Sequence, residues 1–144
     1  MIKRGAMKLS TKGRYGLRAM IDLASHYRHS PCVLKDMAKR IDVSNKYLEQ
    51  LISSLRTAGL VRSVRGAHGG YMLARDPKDI RVSDVIQVLE GSISLVDCID
   101  DPETCEKTDH CAAHVLWAQI KDLMESVLES VTLQDMAERQ KHMY

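Results

Sequence analysis

The chain has 144 residues, 44% of them hydrophobic, with one Trp and no Phe. That length suits one domain, or one small domain with an appended helix, whose core must be filled by Leu, Ile, Val and Met. No apolar run is long enough to cross a bilayer and no signal-peptide pattern opens the chain, so membrane and secreted classes are set aside and a cytoplasmic protein is expected. The net charge of +2 conceals a division. Residues 1–81 carry 17 Lys/Arg against 6 Asp/Glu, and residues 82–144 carry 4 against 13. Uneven patterning of a solvated surface is the bland account. A split this large points instead to a basic half that faces nucleic acid and an acidic half turned away from phosphate.

Residues 1–10 show no periodicity. Met7-Lys8-Leu9-Ser10 reads as an alternative start, which makes 1–6 an upstream extension whose Lys3 and Arg4 add nonspecific attraction to phosphate. A first helix is expected over 12–28, with Leu17, Met20, Ile21, Ala24 and Tyr27 at helical spacing and Lys12, Arg14, Arg18 and Arg28 on the basic side. His29-Ser30-Pro31 breaks it. Cys32, beside Val33 and Leu34, reads as a small buried hydrophobe. Leu34, Met37, Ala38 and Ile41 mark a short second helix, and Asp42-Val43-Ser44 a turn. Ser44 is a good N-cap for a third helix over 45–58, although Tyr47 stands where a capping box has Glu or Gln. Leu48, Leu51, Ile52 and Leu55 line its apolar face, and Gly59 ends it.

Two short helices joined by a tight turn form a helix-turn-helix, whose second helix reads the major groove. Away from its leucines this helix carries Asn45, Lys46, Glu49, Gln50, Ser53 and Arg56. Asn and Gln pair with adenine, Glu accepts from cytosine, and Lys and Arg favour guanine or phosphate. For a helix seen alone, a merely solvated face would be the better reading. The next segment changes that balance. Strand-like runs at 60–65 and 71–74 flank the glycine-rich tip Gly66-Ala67-His68-Gly69-Gly70, and Asp76-Pro77 closes the second run. A basic hairpin after a helix-turn-helix is a wing, with Gly66 allowing close approach and Arg65 or His68 entering a minor groove. The candidate DNA-binding set is Arg14, Asn45, Lys46, Tyr47, Glu49, Gln50, Ser53, Arg56, Arg65, Gly66 and His68. The expected fold is mainly α with a small β-hairpin wing: a winged helix-turn-helix over 7–81, a linking helix and ligand loop over 82–110, and dimerisation helices over 111–140.

Ser83 or Asp84 is expected to cap a fourth helix, with Val85, Ile86, Val88 and Leu89 inward and Gly91 ending it. From 92 to 110 periodicity fails. Cys98, Cys105, Cys111 and His114 follow the spacing C-x6-C-x5-C-x2-H. Four soft or borderline donors in a chain expected to keep its thiols reduced are metal ligands before they are disulfides. An iron–sulfur cluster fits cysteine thiolates with one histidine. Zinc is the competitor, since Cys3His is a common structural set, although gaps of six and five are wide for it. A catalytic Cys/His pair lacks an orienting group, so no enzyme is expected. If Cys111 and His114 begin a helix, they point the same way. Leu116, Ile120, Leu123, Met124, Val127, Leu128 and Val131 then form a stripe over 111–130 that a chain this size cannot cover alone. Part is expected to pack on its own core and the rest on a second copy, which would present two recognition helices to a near-palindromic site. Thr132, Leu133, Met136 and Ala137 suggest one more short helix.

The chain resembles the Rrf2 family of winged-helix transcription regulators, and within it the branch that responds to iron–sulfur clusters. The likeness runs from about Met7 to Gln140. It is carried by Tyr47-Leu48-Glu49-Gln50-Leu51, by Leu60-Val61-Arg62-Ser63-Val64-Arg65-Gly66, by Gly69-Gly70-Tyr71, and by the opening Lys8-Leu9-Ser10-Thr11-Lys12-Gly13-Arg14-Tyr15. The resemblance implies a [2Fe–2S] cluster on Cys98, Cys105, Cys111 and His114, a homodimer on double-stranded DNA, and repression of cluster-assembly genes. It also implies that Glu49 discriminates between operators, with Gln50 reading bases and Lys46 at a variable position. The family pattern has five residues in each cysteine gap, whereas the first gap here has six. Sister regulators with other spacings carry [4Fe–4S] and respond to iron, nitric oxide or redox state; the terminal Cys-x2-His favours [2Fe–2S]. Members that regulate cysteine metabolism need no cluster, and the three clustered cysteines argue against that branch.

Overall fold

A computed structural model describes residues 9–143. The expected extension at 1–6 and the alternative start at Met7 lie outside them. The elements in order are α1 (Thr11–Ser25), α2 (Leu34–Ile41), α3 (Asn45–Thr57), β1 (Val61–Val64), β2 (Gly70–Leu73), α4 (Val82–Glu90), α5 (Asp97–Asp100), α6 (Ala112–Ser130) and α7 (Leu133–Lys141), with single 3-10 turns at 77–79, 102–104 and 108–110. This is a winged helix-turn-helix followed by a long helix and a short return helix.

The first half is organised by its local signals. Ser10 caps α1, its hydroxyl accepting from the Gly13 amide, so the helix starts one residue earlier than the periodicity suggests. It also stops at Ser25, not Arg28, because His26 and Tyr27 close it with turn bonds to Leu23 and Ala24. Between α2 and α3, Asp42 takes a left-handed conformation (φ 58°), and Ser44 accepts from the Tyr47 amide at 3.1 Å, as the sequence predicts. Gly59 (φ 80°) ends α3. The two strands pair antiparallel, with Val61 opposite Leu73 and Val64 opposite Gly70. Residues 60, 65 and 74 fall outside the strands.

A third strand-like contact was not expected. Cys32 and Tyr71 exchange both backbone bonds, at 2.9 and 2.8 Å, which ties the α1–α2 connection to the wing. Gly70 (φ 155°) permits this, since a Cβ there would collide with the Cys32 carbonyl. Cys32 itself is buried in the core, as expected.

Met20, Leu23, Met37, Leu48, Ile52, Leu55, Leu73, Ile80 and Val85 fill that core, joined by Leu133 from α7. The C-terminal helix therefore packs back onto the winged-helix body. Leu133 N–H donates to Ile80 C=O at 2.9 Å, and Val82 N–H to Val131 C=O at 2.8 Å. The fourth helix is not capped by Ser83 or Asp84. Arg81 is its N-cap, and the Asp84 carboxylate sits three residues on and accepts from the Arg81 amide at 2.9 Å. The Asp84 side chain thus serves the helix start from inside the first turn.

Beyond Glu90 the character changes. The segment 92–110, without periodicity in the sequence, folds as α5 and two 3-10 turns whose side-chain hydrogen bonds are exposed. Neither α5 nor α6 holds a buried residue. On α6, Ile120, Met124 and Leu128 are half-buried. Val115, Leu116, Leu123 and Val127 stand 58%, 49%, 68% and 62% exposed. The stripe is split as expected, one edge turned to the body and the other left bare.

Candidate nucleic-acid interface and metal-ligand loop

The recognition helix is held by its four leucine and isoleucine positions, all buried against α1, α2 and α4. That orientation leaves Asn45, Lys46, Glu49, Gln50, Ser53 and Arg56 exposed along one outer face. Among the described residues, none of these side chains is engaged in a hydrogen bond or ion pair with another. They are free to meet base edges and phosphates.

Tyr47 differs from its neighbours. It is half-buried, its ring edge-on to Tyr15 at 6.2 Å between centroids, and its hydroxyl is buried without a partner among the described residues. Tyr15 in turn lies beneath the guanidinium groups of Arg14 (5.7 Å) and Arg18 (5.2 Å). Tyr47 thus joins the start of the recognition helix to the basic side of α1, which gives it a packing role that its neighbours on the outer face do not have. Arg14 is exposed on that side. At the wing, Arg65, Gly66, Ala67 and His68 are all exposed, and Gly66 (φ 107°) makes the tight tip closed by the Gly69 amide on the Gly66 carbonyl at 3.0 Å. The eleven predicted residues therefore fall on α1, α3 and the wing tip, ten of them exposed.

The ligand loop is less uniform. Cys98 lies in α5 and His114 in the first turn of α6, both half-buried, with Cys98 Sγ and His114 Nδ1 3.2 Å apart. Cys111 is the N-cap of α6 and half-buried, while Cys105 is exposed. All four cysteines are free thiols. The sequence reading grouped Cys111 with His114; the close contact in the structure is between His114 and Cys98. Among the described residues, no third donor approaches both of them within 4.8 Å. Three thiols and one imidazole are a donor set that fits a structural zinc ion or a binuclear iron–sulfur centre whose two irons each take two ligands.

Polar bracing fixes the loop. The Asp100 carboxylate accepts from the Ser92 hydroxyl at 2.6 Å, from the Ser94 hydroxyl, and from Lys121 Nζ on α6 at 3.4 Å. These donors, the Ser92 hydroxyl first, hold its carboxyl below the usual carboxylate range. Thr108 Oγ1 donates to the carbonyls of Pro102 (3.0 Å) and Cys105 (2.9 Å).

A second donor group, Asp22, His26 and Cys32, gathers within 4.8 Å at the C-terminal end of α1. Arg40 grips both carboxylate oxygens of Asp22, Nε and Nη2 each at 2.8 Å, and burial pushes the Cys32 thiol up. A bidentate guanidinium already neutralises the carboxylate and repels a dication, so this group is an ion-pair cluster.

Sequence reasoning missed several residues that position these sites: Ser10, Gly13, Gly16, Glu90, Asp100 and Lys121. The signal available was the Gly13-x-x-Gly16 spacing inside a helical pattern, which marks close approach by another element. A Cβ at Gly13 would strike Glu90, and one at Gly16 would strike Leu89.

Residues 9–139 match the family model Rrf2, described as an iron-dependent transcriptional regulator. The transcriptional regulator CymR of Bacillus subtilis is 48% identical over 131 residues, spanning 91% of this chain and 90% of the relative. Its solved structure, described as the global cysteine regulator of that organism, superposes with a TM-score of 0.79 over 92% of this chain and 97% of that one. The regulator IscR of Photorhabdus laumondii is 40% identical over 135 residues, 94% of this chain and 82% of the relative. The structure of T. potens IscR is 47% identical, with a TM-score of 0.77 over 92% of this chain and 88% of that one.

Proposed function

Because the chain belongs to the Rrf2 family of DNA-binding transcription regulators, we propose that it acts as a homodimeric repressor whose operator choice answers to a [2Fe–2S] cluster on Cys98, Cys105, Cys111 and His114. The observation that carries this reading is the 3.2 Å approach of Cys98 Sγ to His114 Nδ1 on a segment with two further free thiols. When bound, the cluster would supply a one-electron redox centre and a covalent tie between four points of the loop. His114 contributes a neutral donor, which leaves the site less negative than four thiolates would. The N-terminal end of α6, at Cys111, favours the anionic donors gathered there. Asp100 and Lys121 keep α5 against α6, so that the Cys98 and His114 side chains meet.

The bare edge of α6 is the face we assign to the second copy, and it lies on the helix that begins at the ligand set. Two recognition helices related by a two-fold axis would then meet a near-palindromic operator. Glu49 beside Gln50 gives that helix its discrimination. A carboxylate is accepted next to a cytosine amino group and repelled by guanine acceptors or phosphate. With residues 7–81 on DNA, 82–110 holding the ligand and 111–140 joining the copies, clusters in ample supply would repress the genes that assemble them.

A second reading, a regulator responding to cysteine supply, is favoured by the 48% identity to the B. subtilis cysteine regulator. One set of measurements separates the two. Protein purified without oxygen is expected to be coloured and to carry about two irons and two sulfides per chain. His114→Ala is expected to weaken the cluster while leaving the helical content unchanged. About four irons per chain would replace the cluster by [4Fe–4S]. Colourless protein with one zinc would make the loop a structural site, and protein with no metal would favour the cysteine reading. Operator binding is then compared with and without the cluster at one fixed salt concentration.

A further inference from the structure

The basic body passes into the ligand loop at Glu90. Glu90 is the last residue of α4, and the loop leaves from Gly91 beside it. Its carboxylate reaches back eighty positions to the start of α1. There Oε1 accepts from the Ser10 amide at 2.8 Å, the Gly13 amide at 3.1 Å and the Ser10 hydroxyl. The first turn of α1 has no acidic residue of its own. Glu90 therefore supplies the negative charge that the positive end of this helix lacks, and a second acceptor beside the Ser10 hydroxyl. Gly13 and Gly16 keep α1 bare where Leu89 and Glu90 press on it, so the contact is built into the packing of both helices.

On its other side Glu90 is tied to the ligand loop. Gly91 turns the chain at φ 73°, a conformation that favours glycine, which fixes the direction in which the loop departs. The next residue, Ser92, is held by Asp100, two positions beyond Cys98 in α5. The α1 turn that Glu90 caps carries Lys12 and Arg14. Lys12 also lines a cavity of about 100 Å³ together with Tyr47 and Gln50 of the recognition helix and Leu89 of α4. A path made of short stretches of chain and two sets of hydrogen bonds, Asp100 with Ser92 and Glu90 with Ser10 and Gly13, thus leads from Cys98 to the N-terminal end of α1.

We propose that Glu90 is a positioning residue that couples the state of the 91–111 loop to DNA binding by holding the first turn of α1. The proposal rests on the loop being the sensing element, and it predicts something that a cap serving stability alone does not: the dependence of operator affinity on loop state must pass through Glu90.

The test measures operator affinity of the full-length protein, cluster-loaded and metal-free, at fixed salt. In the native chain the ratio is expected in the range of about 5- to 150-fold typical of coupled sites. In Glu90→Ala it is expected to fall to within about twofold of one, with visible absorption and helical content retained. Glu90→Gln, whose amide oxygen still accepts from the Ser10 and Gly13 amides, is expected to keep an intermediate ratio. A native ratio in Glu90→Ala overturns the proposal. A second measurement needs no cluster and survives poor folding of one variant. In metal-free protein, Asp100→Ala is expected to shift operator affinity by about threefold or more in the native background and by less in Glu90→Ala or Glu90→Gln. Additive effects overturn the proposal. Failure of the native protein to take up iron sinks the cluster reading, and the Asp100–Glu90 cycle then decides the role of Glu90 alone.

Discussion

The winged-helix body and the segment from Gly91 to Ser130 solve the folding problem in opposite ways. The body buries its apolar faces within one chain, caps its helices with Ser10 and Ser44, and draws Leu133 back from the far end to complete the core. The later segment buries nothing fully, exposes four large apolar side chains on α6, and is held by surface contacts such as Asp100 with Ser92 and Lys121. A region with this little burial sits at the low-stability end of a structure, where binding partners have the most influence. The body is the reader, finished in itself. The loop and α6 leave free thiols and apolar side chains uncovered within one chain.

The largest effect that tests this contrast is on α6. Leu123→Asp with Val127→Asp places two carboxylates on its bare edge. The double variant is expected to run as a monomer by light scattering and to lose about 10²-fold or more in affinity for a two-site operator, because linked binding of two recognition helices disappears. A dimer of native mass would show that the second copy docks elsewhere. The winged-helix body should be indifferent to this change, and near-native helical content in the monomer is the accompanying expectation.

The next effect lies inside the body. Leu48 is fully buried on the inner face of the recognition helix, so Leu48→Ala is expected to cost about 2–5 kcal/mol in urea unfolding. Leu123→Ala, the same chemistry on the bare edge, is expected to change the stability of dilute monomer by about 0.5 kcal/mol or less and to matter only at concentrations where copies associate. Equal costs at low concentration would erase the distinction between the two regions.

A smaller effect concerns the reading face. Glu49→Ala leaves the buried side of α3 untouched, so stability should hold. Discrimination among operator variants is expected to narrow by about 1–3 kcal/mol at the base pair it meets. Fluorescence anisotropy over a panel of single-base operator changes measures this, and an unaltered profile would assign discrimination to its neighbours.

How much of this was legible follows the same division. The helix-turn-helix could be read because burial at Leu48, Leu51, Ile52 and Leu55 imposes a helical period, and because Ser44 and Gly59 are local signals with local causes. The wing could be read because Gly66, Gly69 and Gly70 leave few alternatives. The four loop donors stood out by chemistry alone. Their pairing did not, since the approach of Cys98 to His114 depends on where a four-residue helix docks on α6. Nor did the bond of Glu90 to Ser10 and Gly13, the Cys32–Tyr71 bridge, or Arg81 as a cap. Glu90 and the Cys32–Tyr71 pair join positions far apart in the chain, and Arg81 is a residue type with no capping preference; none of these leaves a period in a sequence.

The smallest effect lies where the chain returns from α6 to the body. Thr132 caps α7, accepting from the Asp135 amide at 3.1 Å, while the Asp135 carboxylate accepts from the Thr132 amide at 2.9 Å. That backbone bond, followed by the Thr132 hydroxyl, lowers the Asp135 carboxyl below its ordinary value. A carboxylate with a depressed folded-state pKa adds stability above its unfolded pKa, and this contribution is lost as pH falls through the folded value. Asp135→Asn is therefore expected to be less stable than the native chain near neutral pH. The gap should close as the solution is acidified below the ordinary carboxylate range, whereas Thr132→Ala, which keeps the Thr132 amide bond to the carboxylate, should show a deficit that depends less on pH. Because Leu133 is the only fully buried residue of α7, the loss should appear first as faster hydrogen exchange in α7, with α3 protected throughout. A gap that stays constant with pH would mean the reciprocal cap is not what holds α7 to the body, and that burial of Leu133 is enough.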